Sequence, residues 1–100
     1  MAAPHLEFYS TDVPSAGTQV QIANTPRKVL KVWVKPKEGN SGISFFGSSA
    51  VSATTSGISM PATTGPLIPI DLGKHPVEQS TFWVDVASSA DNVETIFLLE

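Results

Sequence analysis

The sequence lacks cysteine and contains few charged residues. Without cysteine, neither a disulfide nor a thiolate metal site can hold the fold together. Charged residues make up 15% of the chain and the formal net charge is −3, which argues against the cationic surface that non-specific nucleic-acid binding requires. Hydrophobic residues make up 41%, enough to form a core, so the composition also excludes a disordered tail. We therefore expect no nucleic-acid partner.

Long apolar runs are also absent. No stretch approaches the roughly 20 apolar residues that span a bilayer, and residues 1–7 lack the basic start and apolar run of a signal peptide. We therefore expect a soluble protein, made in the cytoplasm, with no membrane partner. A chain of 100 residues forms one domain with a thin core, and oligomerisation often stabilises such a core.

Proline and glycine make long helices unfavourable. The eight prolines and seven glycines are spread along the chain and interrupt every window in which a long helix could form. The apolar residues instead recur with the period of two that half-buried strands show. Segment 29–34 is the clearest case: its even positions, beginning with Leu30, are predicted to face the core. Lys31, Trp33 and Lys35 are predicted to share the outer face.

The chain is predicted to be an all-β domain. Besides 29–34, segment 17–23 alternates, and further strands are predicted at 43–46, 50–53, 67–72, 81–87 and 93–99, bounded by turn-forming residues. Seven or eight short antiparallel strands indicate a β-sandwich or jelly roll, because a parallel sheet would need crossover helices for which there is no room. Residues 17–100 are expected to form this domain, and residues 1–16 either a docking arm or a first edge strand.

Two segments carry large apolar side chains outside the clearest strands. Segment 47–66 is poor in charge and rich in small residues, so it fits either a flexible loop or a small strand plus a loop packed on a neighbouring surface. Ile58 and Met60 favour the second alternative, because a free loop has little use for them. Phe8 and Tyr9 lie in the N-terminal segment, and we predict all four residues at a partner interface.

The sequence predicts no enzymatic activity, metal site or cofactor. The turn at 39–42, Gly-Asn-Ser-Gly, is faintly similar to the motif around a serine protease nucleophile, but Asn replaces Asp and a hairpin turn is expected there. His75, Asp85 and Asp91 have no neighbours at metal-ligand spacing. The glycines also do not occur at the spacing of phosphate-binding loops.

Charge is distributed unevenly along the chain. Five of the six basic residues lie between positions 27 and 37, and six of the nine acidic residues lie from position 71 onward. This fits either an ordinary solvated strand face or two complementary patches that meet between identical subunits or on a partner. Trp33 favours the second alternative, because an exposed aromatic flanked by cations often anchors an interface. The predicted interface residues of this region are Arg27, Lys31, Trp33 and Lys35.

Three stretches carry a family resemblance: residues 39–57 (GNSGISFFGSSAVSATTSG), 66–72 (PLIPIDL) and 82–93 (FWVDVASSADNV). With the strands upstream, they resemble the small β-sandwich decoration, or cement, proteins of tailed bacteriophage capsids. The resemblance implies a virion structural protein, a homotrimer that binds the major capsid protein on the outer capsid surface and stabilises contacts between capsomers. Related domains occur in tails, necks and fibres or bind host glycans, and these alternatives stay open, as does an unrelated cellular β-sandwich.

Overall fold

The computed structural model describes residues 5–51, 57–61, 67–72 and 74–100. These residues form two antiparallel sheets, and the prediction of an all-β sandwich is confirmed. The strands are β1 His5–Asp12, β2 Val20–Gln21, β3 Lys28–Pro36, β4 Ser44–Gly47, β5 Ile58–Met60, β6 Ile68–Asp71, β7 Val77–Glu78, β8 Trp83–Val86 and β9 Asn92–Leu99, with a 3-10 turn at Gln79–Thr81.

The strands are wound as in a jelly roll. Sheet A has the order β1-β9-β3-β6, with β7 also paired to β3, and sheet B has the order β2-β8-β4-β5. The described pairings are antiparallel, and the chain passes repeatedly from one sheet to the other. This winding places the first and last described strands, β1 and β9, side by side in sheet A.

The core lies between the two sheets. Its fully or nearly fully buried members include Val13, Val29, Val32, Val34, Phe46, Met60, Phe82, Val84, Val86, Val93, Phe97 and Leu99. Three of its aromatic rings form a chain, with ring centroids 5.3 Å apart for Phe46 and Phe82 and 5.7 Å apart for Phe82 and Phe97. Aromatic contacts of this kind add about 0.5–1.5 kcal/mol per pair beyond the burial of area, so these rings tie sheet A to sheet B.

A β-bulge interrupts the alternation of β3. Val32 is fully buried, as predicted, but so is Val29, while Leu30 is only half-buried. The register of β3 against β9 shifts between Val29 and Lys31, and the Leu30 carbonyl accepts the N–H of Leu72 at 2.8 Å. The prediction that Leu30 shares the core face of Val32 is therefore wrong, because the extra residue of a bulge resets the alternation.

Three other predicted strands differ from the observed ones. Of the predicted strand 17–23, only Val20–Gln21 forms a strand. Ala50 and Val51, from the predicted strand 50–53, lie in a turn and just after it, and residues 52 and 53 lie outside the described residues. The beginning of the predicted strand 81–87 lies in the 3-10 turn. Within the N-terminal segment, β1 is an edge strand of sheet A; within segment 47–66, β5 is a small strand paired with β4.

The Gly-Asn-Ser-Gly segment forms a loop that is clamped by the turn before β9. The Asp91 carboxylate accepts the backbone N–H groups of Ser41 at 2.9 Å and Gly42 at 2.8 Å. The side-chain amide of Asn40 donates to the carbonyl of Asn92 at 2.8 Å and accepts its N–H at 3.0 Å. Asn40 thus hydrogen-bonds both backbone groups of Asn92 in β9, as a neighbouring strand would. Asp91 has a structural role, because it holds the backbone of the loop.

Candidate docking surface on the outer face of sheet A

Sheet A carries a row of apolar residues across its outer face. Phe8 of β1 lies directly opposite Ile96 of β9, Ile96 lies opposite Trp33 of β3, and Trp33 lies opposite Pro69 of β6. Directly opposite side chains in a sheet are close enough to touch, so the four residues form one apolar row. These positions alternate with core residues along each strand, and therefore face away from sheet B.

A second row, closer to one end of the sheet, is part apolar and part charged. Leu6 lies opposite Leu98, Leu98 opposite Lys31, and Lys31 opposite Asp71. The Lys31 ammonium lies 5.0 Å from the centre of the Trp33 ring, within the range of a cation–π contact. This second row places charge of both signs at the β6 side of the face.

On the other side of the apolar row, an ion pair lies at the rim of the face. The Lys35 ammonium lies 3.3 Å from a Glu94 carboxylate oxygen, and both side chains are partly exposed. An exposed pair of this kind contributes at most about 1 kcal/mol to stability. An apolar centre with charged residues at the rim is the usual composition of a protein–protein interface.

The same face contains an open groove of about 650 Å³. The groove is lined by Phe8, Tyr9, Ser10, Lys35, Leu67, Glu94, Thr95 and Ile96. A smaller hollow of about 180 Å³ adjoins it and is lined by Leu6, Phe8, Trp33, Leu67 and Ile96. The surface is therefore grooved beside the exposed Phe8 ring. A protruding side chain or loop of a partner could fill this groove.

A polar cluster lies on the other side of β1. The Tyr9 hydroxyl donates to a Glu7 carboxylate oxygen at 2.6 Å, and His5 Nε2 lies 3.1 Å from the other oxygen. An Arg27 nitrogen lies 3.7 Å from Glu7 and another lies 3.1 Å from His5 Nδ1. The Tyr9 ring packs edge-on against Phe97 at 5.6 Å, which places the cluster on the core side of sheet A.

Hydrogen bonding within this cluster shifts two pKa values. The hydrogen bond from Tyr9, followed by that from His5, holds the pKa of Glu7 below its usual value. The same Tyr9–Glu7 hydrogen bond, reinforced by partial burial, raises the pKa of the Tyr9 hydroxyl. At neutral pH the cluster therefore contains an ionised Glu7 and a neutral Tyr9.

The predicted interface residues are divided among three places. The outer face of sheet A brings together Phe8, Lys31, Trp33 and Lys35. The side chains of Tyr9 and Arg27 belong to the polar cluster on the opposite side of the sheet, although Tyr9 also lines the groove. Ile58 lies in sheet B and is 38% exposed, away from this face.

Met60 requires a correction. It lies two residues after Ile58 in β5, opposite Ser44 of β4, and its side chain is 1% exposed within the core. Met60 lies inside the core of its own chain and not at the surface, so its prediction as an interface residue is wrong. Met60 is a large apolar side chain in a segment without clear alternation, and it packs in the core of its own chain.

Sequence reasoning missed several apolar residues of the face, above all Leu6, Leu67 and Ile96. One signal was present: β9 ends in the uninterrupted apolar run Ile96-Phe97-Leu98-Leu99. An uninterrupted run is typical of a strand with apolar residues on both faces. Since Phe97 and Leu99 face the core, Ile96 and Leu98 had to face outward.

Other kinds of site are not found in the described part of the chain. No group of three or more His, Asp or Glu residues there is placed to hold a metal ion. No helix among these residues is long and apolar enough to cross a membrane. Comparison of the whole chain with protein-family models and with curated proteins finds no match.

Proposed function

We propose that this chain is a non-enzymatic virion structural protein that binds the outer surface of a bacteriophage capsid. In this role it contacts the major capsid protein and stabilises the contacts between neighbouring capsomers. The proposal is supported by the resemblance of residues 39–57, 66–72 and 82–93 to capsid decoration proteins. It is also supported by the outer face of sheet A, which offers an extended surface for a protein partner.

The observation that carries the proposal is the exposure of large apolar side chains on one face. Phe8 is 73% exposed, Leu6 53% and Leu67 42%, and all three line the same hollow. A contiguous apolar patch with a polar rim marks an interaction site in a soluble protein. Binding to a lattice also requires no deep pocket, because many copies bound at once give avidity to contacts that are individually modest.

The first experiment is to count the copies of this polypeptide in purified virions of the phage that encodes it. Quantitative mass spectrometry would measure the ratio of this chain to the major capsid protein. Hundreds of copies in a fixed ratio are expected for a decoration protein. A few to a few dozen copies would assign it to the tail, neck or fibres, and its absence from the virion would refute the proposal.

A substitution tests whether the outer face of sheet A makes the contact. We expect Trp33→Ala to weaken binding to capsids stripped of this protein by about 30-fold or more, since central aromatic side chains often contribute at least about 2 kcal/mol to an interface. Co-sedimentation of the variant with stripped capsids measures this loss. Circular dichroism should remain that of the wild type, because Trp33 lies outside the core.

A matched pair of variants controls for the general loss of an exposed apolar residue. Leu67→Ser acts on the face, whereas Ile43→Ser acts on a residue of similar exposure, 46%, that precedes β4 of sheet B. We expect weaker capsid binding for Leu67→Ser and unchanged binding for Ile43→Ser. If Trp33→Ala and Leu67→Ser both bind as the wild type does, the capsid contact lies elsewhere on the molecule.

A tail, fibre or glycan-binding role is the second candidate. The groove favours it, because Phe8 lines it beside the polar side chains of Ser10, Lys35 and Glu94, and sugar rings bind to exposed aromatics flanked by hydrogen-bonding groups. A specific signal on a glycan array, lost in Phe8→Ala, would support this role. Low copy number in the virion together with such a signal would favour it over capsid decoration.

A further inference from the structure

Among the described residues, β1 forms one edge of sheet A and pairs with no strand on the side away from β9. This strand pairs with β9 over eight consecutive residues, from His5 to Asp12, without a register shift, and it stands at the end of the strand order. Soluble proteins usually block such an edge with proline, lysine, a bulge or a short strand, because its unpaired backbone groups can bind another strand. Neither proline nor lysine occurs between His5 and Asp12.

The other described edges of the sandwich differ from β1. In sheet A, β6 has four residues and carries Pro69, which has no N–H, within the strand. In sheet B, β2 has two residues and β5 has three. Among the described strands, β1 is therefore the one edge that combines length with a complete set of donors and acceptors.

The hydrogen bonds at the end of β1 indicate which backbone groups point to the free edge. Val13 donates its N–H to Asp91 at 3.0 Å and accepts the N–H of Ala90 at 2.8 Å, so both its backbone groups point toward the β9 side. Asn92, opposite Asp12, uses its N–H and carbonyl on its other side, with Asn40 and Lys37. Backbone groups alternate in direction along an antiparallel strand, so the even residues Leu6, Phe8 and Ser10 point theirs toward the free edge.

We propose that β1 of a second copy of this chain pairs with this edge, antiparallel and related by a two-fold axis at Phe8. In this register, Phe8 lies opposite Phe8 of the partner subunit, and Leu6 lies opposite Ser10 of the partner subunit. These are the residues whose backbone groups point to the edge, and each such pair exchanges two hydrogen bonds. The two copies of sheet A thereby form one continuous sheet with a common outer face.

The chemistry of β1 fits a second copy of itself. The register brings the two exposed Phe8 rings together on the outer face, which removes apolar surface of both from water. Glu7 lies opposite Tyr9 of the partner subunit, and no two like charges are opposed among residues 5–11. The other described edges are too short, or lack an N–H, to pair with all of β1, so a head-to-tail contact between copies through them is less favourable.

This inference does not rest on the capsid proposal, and it differs from the trimer that the resemblance implies. When β1 pairs with β1 of a second copy, both edges are used and assembly stops at a dimer, because a two-fold interface is closed. Such a dimer carries two copies of the candidate docking surface side by side on one sheet. A chain that dimerises in solution but does not bind capsids would support the dimer and refute the capsid proposal. A monomeric chain that binds capsids would do the reverse, so the two proposals can be tested separately.

The oligomeric state of the isolated chain tests the inference. Size-exclusion chromatography with light scattering over a concentration series should give a mass approaching twice the 10.6 kDa of one chain. Ser10→Pro removes an N–H that points to the edge and leaves the β1–β9 hydrogen bonds in place. Each dimer then loses two hydrogen bonds, and we expect its dissociation constant to rise at least about tenfold.

Ser10→Ala is the matched control, because it loses the same hydroxyl contact with Asn92, 3.0 Å in the wild type, but keeps the backbone N–H. It should remain dimeric. A wild-type chain that is monomeric at all concentrations or forms a trimer would refute the inference. Equal dissociation constants for Ser10→Pro and Ser10→Ala would refute it as well.

Amide hydrogen exchange provides a measurement on the wild type that does not depend on how the proline variant folds. The amides of Leu6, Phe8 and Ser10 should exchange more slowly as the concentration rises through the dimerisation range, because pairing removes them from water. The amide of Trp33, in the middle of the sheet, should not change with concentration. Rapid exchange of the three edge amides in a sample that is dimeric by mass would show that another surface forms the dimer.

Discussion

The two sheets differ in strand length and in what covers their outer faces. In sheet A, β1, β3 and β9 have eight, nine and eight residues, whereas no described strand of sheet B has more than four. Among the described residues, the outer face of sheet A carries exposed apolar side chains, of which Phe8 is the most exposed.

Part of the outer face of sheet B is covered by the chain itself. Asp85 lies opposite Phe45 on that face, between Val84 and Val86 of the core, yet it is only 1% exposed. Its carboxylate accepts the N–H of Gly17 at 3.0 Å, which fixes the loop after β1 against the sheet. Among the described residues, sheet A therefore presents a row of outward-facing apolar side chains, whereas the loop after β1 packs on part of the outer face of sheet B.

The largest expected effect comes from breaking the contact between the sheets. Phe97 is fully buried and packs against Phe82 of the segment leading into sheet B. Phe97→Ala should lower the free energy of unfolding by about 3–5 kcal/mol, and both sheets should unfold together. Urea denaturation followed by tryptophan fluorescence measures the loss.

Phe8→Ala provides the control for this substitution. Phe8 belongs to the neighbouring strand but faces outward, at 73% exposure, and its removal should change the stability of the monomer by no more than about 0.5 kcal/mol. The two variants remove the same side chain from opposite faces of sheet A. Similar losses of stability in both, measured below the dimerisation range, would contradict the division of this sheet into a core face and an open face.

The sequence was sufficient to predict those features that depend on neighbours along the chain. Alternation placed Trp33 on the outer face of β3 and Val32 in the core, because side-chain direction in a strand is a local property. The bulge at Leu30 was missed, since a bulge exists only relative to the partner strand, here β9. A loop at 39–42 was predicted from its residue types alone, but the hairpin expected there does not form, because β3 lies in sheet A and β4 lies in sheet B.

The composition of the candidate site depended on contacts that are distant in the sequence. Leu6 joins the apolar face because β1 pairs with β9 and lies opposite Leu98, and no local pattern indicates which strands become neighbours. Met60 was assigned to an interface for the same reason: its burial depends on the packing of sheet B against sheet A. The alternation identified candidate surface residues, and the strand order decided which of them share a face.

A smaller effect is expected from releasing the clamp at one end of the sandwich. Asp91→Ala leaves the N–H groups of Ser41 and Gly42 without their carboxylate acceptor, and we expect a loss of about 1–3 kcal/mol. Thermal unfolding should show a midpoint lowered by roughly 4–8 °C per kcal/mol. Asp91→Asn keeps one acceptor oxygen and should lie between the wild type and Asp91→Ala; an alanine variant as stable as the wild type would show that the clamp is unimportant.

The smallest effect is a pH dependence that arises in the polar cluster of sheet A. The pKa of Glu7 is held below its usual value of 4.5, first by the Tyr9 hydrogen bond and then by that of His5, so ionised Glu7 favours the folded state. This contribution is present above about pH 4.5 and is lost as the pH falls through the lower folded-state pKa. Glu7→Gln should therefore be less stable than the wild type at neutral pH, by under about 1 kcal/mol because water screens the cluster, and the difference should shrink in acid.

Tyr9→Phe keeps the ring on Phe97 and removes the main hydrogen-bond donor to Glu7, so it should weaken the acid dependence of stability. If urea titrations between neutral and acidic pH give parallel curves for the wild type and both variants, the hydrogen bond between Tyr9 and Glu7 contributes nothing to folding.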